Sequence, residues 1–393
     1  RLPDDFQPNR LVYLDDSGPV SVLGLESLPF PTVLYSVDSH HHANWHRCLA
    51  AMFDLVLVAQ KKFMGEVSAF GTPASWFPLW APTLIEPAEV KSVDVCFRGN
   101  LDPNLHPKRA AFFERLSRLV DIDVGTGDYR NVFCKSKIVV NQAVRDDLNF
   151  RVFETMMCGA LLLTPDDSSG LQELFTSGIH LETYKSDSAE DAAGKIRYYL
   201  DHEAERAAIA SAGRDEVLAK HTSEARARDF ARILERISLS ARSSKYFGAG
   251  GASIFGAKVS SRVSQELADH FLSHAVSSMI RSARDHERRD NAFISTSHFV
   301  KYFLEVRGQY EEAIVFMKKL VEAYPNEPFL LVSYSESLRI AGKEEQAQEV
   351  IRRFSQNAQV FLDKAENALR LLREDIMGQL RGAVPGHALD DTR

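Results

Sequence analysis

The chain has 393 residues, 45% of them hydrophobic and 26% charged, and a formal charge of −7 at pH 7. This is the composition of a folded protein of two or three domains. It carries neither the basic excess of a nucleic-acid surface nor an apolar run of about 18 residues for a membrane span. Cys48, Cys96, Cys134 and Cys158 lack C-x-x-C spacing and lie in apolar runs. That pattern predicts buried free thiols and a cytoplasmic setting.

Residues 1–85 read as an α/β domain. Arg10–Leu14 and Thr32–Val37 are strand-like, and the second ends in Asp38-Ser39-His40-His41-His42. A helix pattern over Ala43–Phe53 and a buried strand over Leu55–Ala59 follow, then the aromatic, proline-punctuated segment Trp76–Pro82. Residues 86–240 form a second α/β unit. Its first strand, Asp94–Phe97, runs into Arg98-Gly99-Asn100, and a helix opens near Pro107-Lys108-Arg109. Glycine lets a backbone approach a phosphate, and a helix amino terminus favours anions. Val120–Val124 is the next strand. Asp121-Ile-Asp123 has the spelling of a metal-binding D-x-D, but inside a strand it reads as structural.

Lys137–Phe175 is the most informative stretch. Ile138–Asn141 is a short buried strand, Val152–Cys158 a helix stopped by Gly159, and Ala160–Thr164 a second buried strand. The turn Pro165–Gly170 leads into a helix at Leu171. A strand over His180–Tyr184 and helices over Ala189–Leu200, Glu203–Leu218 and Ser223–Ile237 complete the unit. In an open parallel sheet, ligands bind at the carboxyl ends of the strands. Asn149, Arg151, Glu154 and the Asp166–Gly170 loop are therefore expected on one edge.

Residues 241–290 are expected to be a linker and a connecting helix. The Ser, Gly and Ala content of Ser238–Ala257 reads as linker, and Val259 to about Arg289 as one helix. Over 291–393, Leu304, Gly308, Glu311 and Ala313 recur as Leu338, Gly342, Glu345 and Ala347, each 34 residues on. With Tyr310 and Pro325 this resembles a tetratricopeptide repeat. The polar tail Val384–Arg393 is expected to fray.

The strings Asn149–Thr164 (N-F-R-V-F-E-T-M-M-C-G-A-L-L-L-T) and Gly170–Gly178, with Ser136–Asn141, Asp94–Asn100, Lys195–Arg214 and His221–Arg226, resemble the donor-binding half of CgeB-like glycosyltransferases. These are family-4-type relatives with the GT-B fold. The resemblance implies two Rossmann-like domains facing a cleft, followed here by the helical repeats. It makes 1–85 an acceptor-side domain, shorter than usual, and 86–240 the nucleotide-sugar domain. The helix at Ser223–Ile237 would cross back to the first domain.

In such enzymes the glutamate at the position of Glu154 holds donor ribose hydroxyls. An exposed first-turn Glu complementing a helix dipole has the same spelling. Arg151 suits a diphosphate, or else is a partner for Asp146 or Asp147. Lys137 is a second candidate cation. The family usually has a glutamate eight residues before the ribose one, where this chain has Asp146. Ser168, Ser169 and Gly170 offer backbone N–H groups to a pyrophosphate, or simply cap a helix. Asp38 and His40 close a strand of the first domain and are the candidates for general base or substrate positioning. His40–His42 with His46 lacks the carboxylate or cysteine partner of a metal site.

The expected function is thus metal-independent hexosyl transfer from a UDP- or GDP-linked sugar, with no further cofactor, to a hydroxyl on a protein or glycan acceptor. The repeats would recruit a polypeptide, a partner or a second copy. The alternatives are an inactive scaffold of the same fold that works through its repeats, and a sugar-phosphate epimerase of GT-B type.

Overall fold

The computed structural model describes residues 5–15, 22–81, 84–239, 244–352, 365, 367–374 and 376. The expected frayed tail, Val384–Arg393, lies outside them.

The first domain runs β1 (Leu11–Leu14), β2 (Thr32–Ser36), α1 (Ser39–Ala51), β3 (Leu55–Val58), α2 (Met64–Val67) and β4 (Ala74–Trp76). The four strands pair in parallel in the order β1-β2-β3-β4, with Val33 opposite Leu55 and Val56 opposite Ala74. Leu34, Val56 and Val58 are fully buried against Leu49 and Phe53, which is why β2 and β3 read as continuous apolar runs.

The second domain runs β5 (Val93–Arg98), α3 (Pro107–Leu116), β6 (Asp123–Gly125), α4 (Tyr129–Phe133), β7 (Ser136–Val140) and α5 (Phe150–Met157). It continues through β8 (Leu161–Pro165), α6 (Leu171–Leu174), β9 (Glu182–Tyr184), α7 (Ala189–Asp201) and α8 (Glu203–Lys220). Its sheet is parallel throughout, in the order β6-β5-β7-β8-β9. The chain moves one way from β5 to β6 and the other way from β7 onward. The carboxyl ends of β5 and β7 therefore diverge around a crevice.

The helix α9 (Ser223–Arg236) returns to the first domain, as expected. Arg10 donates to the Leu234 carbonyl at 2.6 Å, and the Phe77 and Phe230 rings lie 5.8 Å apart. One apolar cluster joins Tyr35, Phe77 and Leu79 of the first domain to Val152, Phe153 and Met156 of α5.

The stretch expected to be a linker is largely a buried helix, α10 (Lys245–Ser260). Its glycines are packing surfaces. A Cβ on Gly248 would lie 2.7 Å from the Cys48 carbonyl oxygen and the Ala51 Cβ of α1, and one on Gly251 would lie 2.6 Å from Cys48 Sγ. The single helix expected from Val259 is broken, because α10 ends at Ser260 and α11 spans Gln265–Arg284, with Ser264 capping the Leu267 amide. Helices α12 (Asn291–Val306), α13 (Tyr310–Ala323), α14 (Pro328–Ile340) and α15 (Glu344–Arg352) follow. They form two hairpins whose turns hold Gly308 and Gly342 at φ 75° and 74°. Among the described residues no helix is long and apolar enough to cross a membrane.

Candidate active site

The crevice between the ends of β5 and β7 encloses about 470 Å³. Gly99 and Asn100 line it after β5, Thr126, Gly127 and Tyr129 after β6, and Asp147, Asn149, Arg151 and Glu154 after β7. Asn149, Arg151 and Glu154, predicted to share an edge, are brought together here with the Arg98–Asn100 turn.

Arg151 is anchored by its neighbours. Its Nε donates to the Arg98 carbonyl at 3.0 Å, its Nη1 donates to Asn141 Oδ1 at 2.7 Å, and the guanidinium carbon lies 4.6 Å from the centre of the Phe97 ring. Burial, reinforced by the nearby Arg109 charge, pushes its pKa down to about 10, so it stays charged at neutral pH. Arg109, on the first turn of α3, is 8% exposed and donates to the carbonyls of Gln142 at 3.1 Å and Asn100 at 3.4 Å. Among the described residues neither guanidinium is ion-paired to a carboxylate. Two buried guanidiniums at a strand-end crevice, with the Asp147 carboxylate acting on both from the same lining, can form a site for an anion with several oxygens. Sequence reading passed over Arg109 as a site residue, although its position at a helix start was a usable signal.

Arg98 also lines the crevice, and its side chain is anchored in the sheet. Its guanidinium bonds the Asp123 carboxylate at 2.6 Å and the Asp123 carbonyl at 2.8 Å, so its charge is neutralised within the sheet. Asp123 is thereby structural, as its place in a strand implied.

Glu154 lies half-buried beside Tyr129 and Arg151. Burial raises its carboxyl above the usual range, opposed by the Tyr129 hydroxyl and then by the charges of Arg151 and Arg130. Asn149 precedes α5, and its Oδ1 is buried without a hydrogen-bond partner.

Two other candidates stand elsewhere. Lys137 is at the beginning of β7, the opposite edge of the sheet, where it pairs with Asp94 at 2.6 Å. A residue opening a parallel strand lies a strand's length from the ligand edge, so the expectation for Lys137 is corrected. Ser168, Ser169 and Gly170 are at the carboxyl edge but outside the crevice lining. Ser169 Oγ accepts from the Lys62 amide at 2.8 Å, and Trp76 lies against Gly170. This loop is engaged in contacts between the domains.

The first domain meets the loop before α5 through α1 and the turn after β3. Gln60 exchanges two hydrogen bonds with the backbone of Leu148, at 2.7 and 3.3 Å, and Lys62 pairs with Asp146. Arg145 Nη1 donates to the His40 carbonyl at 2.9 Å. Arg145 and Asp146 both hold positive φ, 53° and 62°, a conformation that persists only where surroundings fix it. His40 is 5% exposed, with Nδ1 unpartnered. Burial holds its imidazole below the usual range, against the opposing influence of Asp147 and then Asp38. His40 is therefore neutral at neutral pH and faces charges of the second domain. Asp38 precedes α1, and its amide donates to Asp15 Oδ2 at 3.4 Å.

Residues 105–232 match the family model described as glycosyl transferase-like. This stretch takes in Arg109, Arg151 and Glu154, while the Arg98–Asn100 turn and the whole first domain lie before it. No curated protein matches the chain. Among solved structures, Alr3699/HepE of Anabaena, in complex with UDP and glucose, is 14% identical over 53% of this chain and 72% of its own, with a TM-score of 0.42. Sucrose-phosphate synthase of Thermosynechococcus elongatus is 14% identical over 54% and 69%, with a TM-score of 0.41. A mutant form of TarM of S. aureus is 12% identical over 51% and 50%, with a TM-score of 0.41. Within the matched stretch, the charged groups gather at the end of β7 and the first turn of α3.

Proposed function

We propose that this protein transfers a sugar from a nucleotide-diphosphate donor to an acceptor hydroxyl. One observation carries the reading: the buried guanidiniums of Arg109 and Arg151, neither in a direct ion pair among the described residues, flank the same crevice as Glu154, inside a glycosyl transferase-like stretch. A diphosphate between the two arginines places the adjoining ribose at Glu154, whose carboxylate accepts from a vicinal diol. The turn Thr126–Tyr129 then borders the base. As the glycosidic bond breaks, negative charge grows on the departing diphosphate, and fixed guanidiniums stabilise it without reorganising. The chain's own cations supply this charge, so the reading requires no metal.

His40 and Asp38 lie across the seam from the diphosphate site. A neutral imidazole suits proton removal from an acceptor hydroxyl, and Asp38 is the carboxylate beside it. The order of strings from Asp94 to Arg226 supports a CgeB-like relative with the GT-B arrangement. The 34-residue spacing of the hairpins supports tetratricopeptide-like repeats that recruit a polypeptide acceptor, a partner or a second copy, in the cytoplasm. Release of UDP or GDP from a panel of nucleotide sugars, wild type against Asp38→Asn, His40→Gln and Glu154→Ala, tests the proposal. Turnover that Glu154→Ala abolishes supports it.

A second reading, a non-catalytic scaffold, draws on the seam itself. The contacts of Gln60, Lys62 and Arg145 close part of the space between the domains. Nucleotide binding without any turnover across the panel would favour it.

A further inference from the structure

Glu154 carries the ribose contact in the proposed reading, and a carboxylate reads a diol only if its oxygens are held in one orientation. A neighbour supplies that restraint. The Tyr129 hydroxyl donates a hydrogen bond to the Glu154 carboxylate. Both residues line the crevice, Tyr129 as the first residue of α4 and Glu154 from the middle of α5.

Tyr129 is itself held in place. Asp128 caps α4 by accepting from the Arg130 amide at 3.1 Å, the Tyr129 ring lies 5.4 Å from the Phe133 ring, and Arg130 Nε reaches the hydroxyl at 3.5 Å. Phe133 is fully buried in an apolar cluster with Cys96 of β5 and Val139 of β7. The hydroxyl thus approaches Glu154 from a short helix seated on the sheet. Arg151 does not take its place. Its Nε is used on the Arg98 carbonyl and its Nη1 on Asn141, and it acts on Glu154 through charge rather than through a hydrogen bond. Burial disfavours the ionised carboxylate, and the Tyr129 hydroxyl is the largest influence opposing it.

We propose that Tyr129 is a positioning residue for the donor ribose, holding the Glu154 carboxylate so that its remaining acceptor sites face the vicinal hydroxyls. The proposal rests on the nucleotide-sugar reading and adds the means by which the crevice selects a ribonucleotide over a 2′-deoxyribonucleotide. A carboxylate offers about four acceptor sites, so one hydrogen bond from Tyr129 leaves enough for both ribose hydroxyls. Without that bond the side chain turns freely, and the diol must pay the cost of ordering it.

Isothermal titration of the full chain with UDP, GDP and their 2′-deoxy counterparts tests this. The quantity read is the ratio of ribonucleotide to deoxynucleotide affinity, for whichever base binds. Wild type should prefer the ribonucleotide about tenfold or more, as expected for a hydrogen bond to a charged group. Tyr129→Phe keeps the ring beside Phe133 and removes only the hydroxyl. It should cut the ratio about fivefold or more, and adding it to Glu154→Ala should lower the ratio no further than Glu154→Ala does alone. A loss of affinity shared equally by the two nucleotides would make Tyr129 merely structural and overturn the proposal. So would an unchanged ratio, or a further fall in the double variant. Nucleotide binding with no ribose preference in wild type overturns the proposal as well and leaves the diphosphate site standing. Failure of both UDP and GDP to bind overturns the nucleotide-sugar reading itself, and this proposal with it.

Discussion

A Cβ on residue 99 would lie 2.5 Å from Nη2 of Arg151 and 2.8 Å from the Phe97 ring. Gly99 and Arg151 therefore occupy adjoining space that only a glycine leaves free. Gly99→Ala should push the guanidinium off the Arg98 carbonyl and Asn141, because the ring beneath Gly99 sits in a packed core. We expect about a tenfold or greater loss of UDP or GDP affinity by equilibrium dialysis, with the fold retained by circular dichroism. Unchanged affinity would mean that Arg151 does not hold the nucleotide.

Glu154 links the site to pH. Its carboxyl is raised by burial, so the folded protein binds that proton more tightly than the unfolded chain does. Stability from this group is present below the ordinary carboxylate range and is lost as pH rises through the folded value. Glu154→Gln removes the penalty. Thermal unfolding should find the variant slightly more stable than wild type at pH 7, with the difference vanishing near pH 4. A variant less stable at pH 7 would contradict this account of the carboxylate.

His221 works in the opposite sense. It is 4% exposed, its Nδ1 accepts from Arg226 at 2.8 Å, and its carbonyl accepts from the Ala81 amide at 2.8 Å where the chain returns to the first domain. Burial and the Arg226 charge push its pKa down to about 4. The unfolded chain takes up this proton first, so stability present above pH 6.5 is lost as pH falls toward 4. The loss from this one residue is roughly 3 kcal/mol. Denaturant titrations at several pH values should show a shallower acid decline in His221→Gln than in wild type. Parallel curves would show that His221 is not held neutral.

Glycines of α10 and α7 should respond oppositely to substitution. Gly248→Val or Gly251→Val overpacks the contact with α1 and should cost about 1–3 kcal/mol of unfolding free energy. Gly194, inside α7, has nothing within 4 Å of where its Cβ would be, and Gly194→Ala should stabilise by about 0.5–1 kcal/mol. Chemical denaturation checks both signs.

Much of the second domain was legible because buried parallel strands are unbroken apolar runs. Ile138–Asn141 and Ala160–Thr164 fell within a residue or two of β7 and β8. The shared crevice of Asn149, Arg151 and Glu154 followed from strand direction alone. The same rule, applied to Lys137, should have excluded it, since that residue opens its strand. Arg109 was hidden because a single cation at a helix start resembles any solvated one until the fold buries it. The Gly-rich stretch before Ala257 was misread because flexible linkers and closely packed helices use the same small residues. What separates them is a partner surface, here Cys48 and Ala51, about two hundred residues away in sequence. Ser168–Gly170 had the letters of an anion site, and the first domain contacts two of the three, Ser169 and Gly170.

The account turns on whether Arg109 and Arg151 hold a nucleotide diphosphate. Isothermal titration of UDP and of GDP into wild type, Arg109→Gln and Arg151→Gln measures this directly. The account predicts binding of at least one nucleotide by wild type, weakened about tenfold or more in each variant and falling as salt is raised. Equal affinity in all three proteins, or no binding of either nucleotide by wild type, would contradict it.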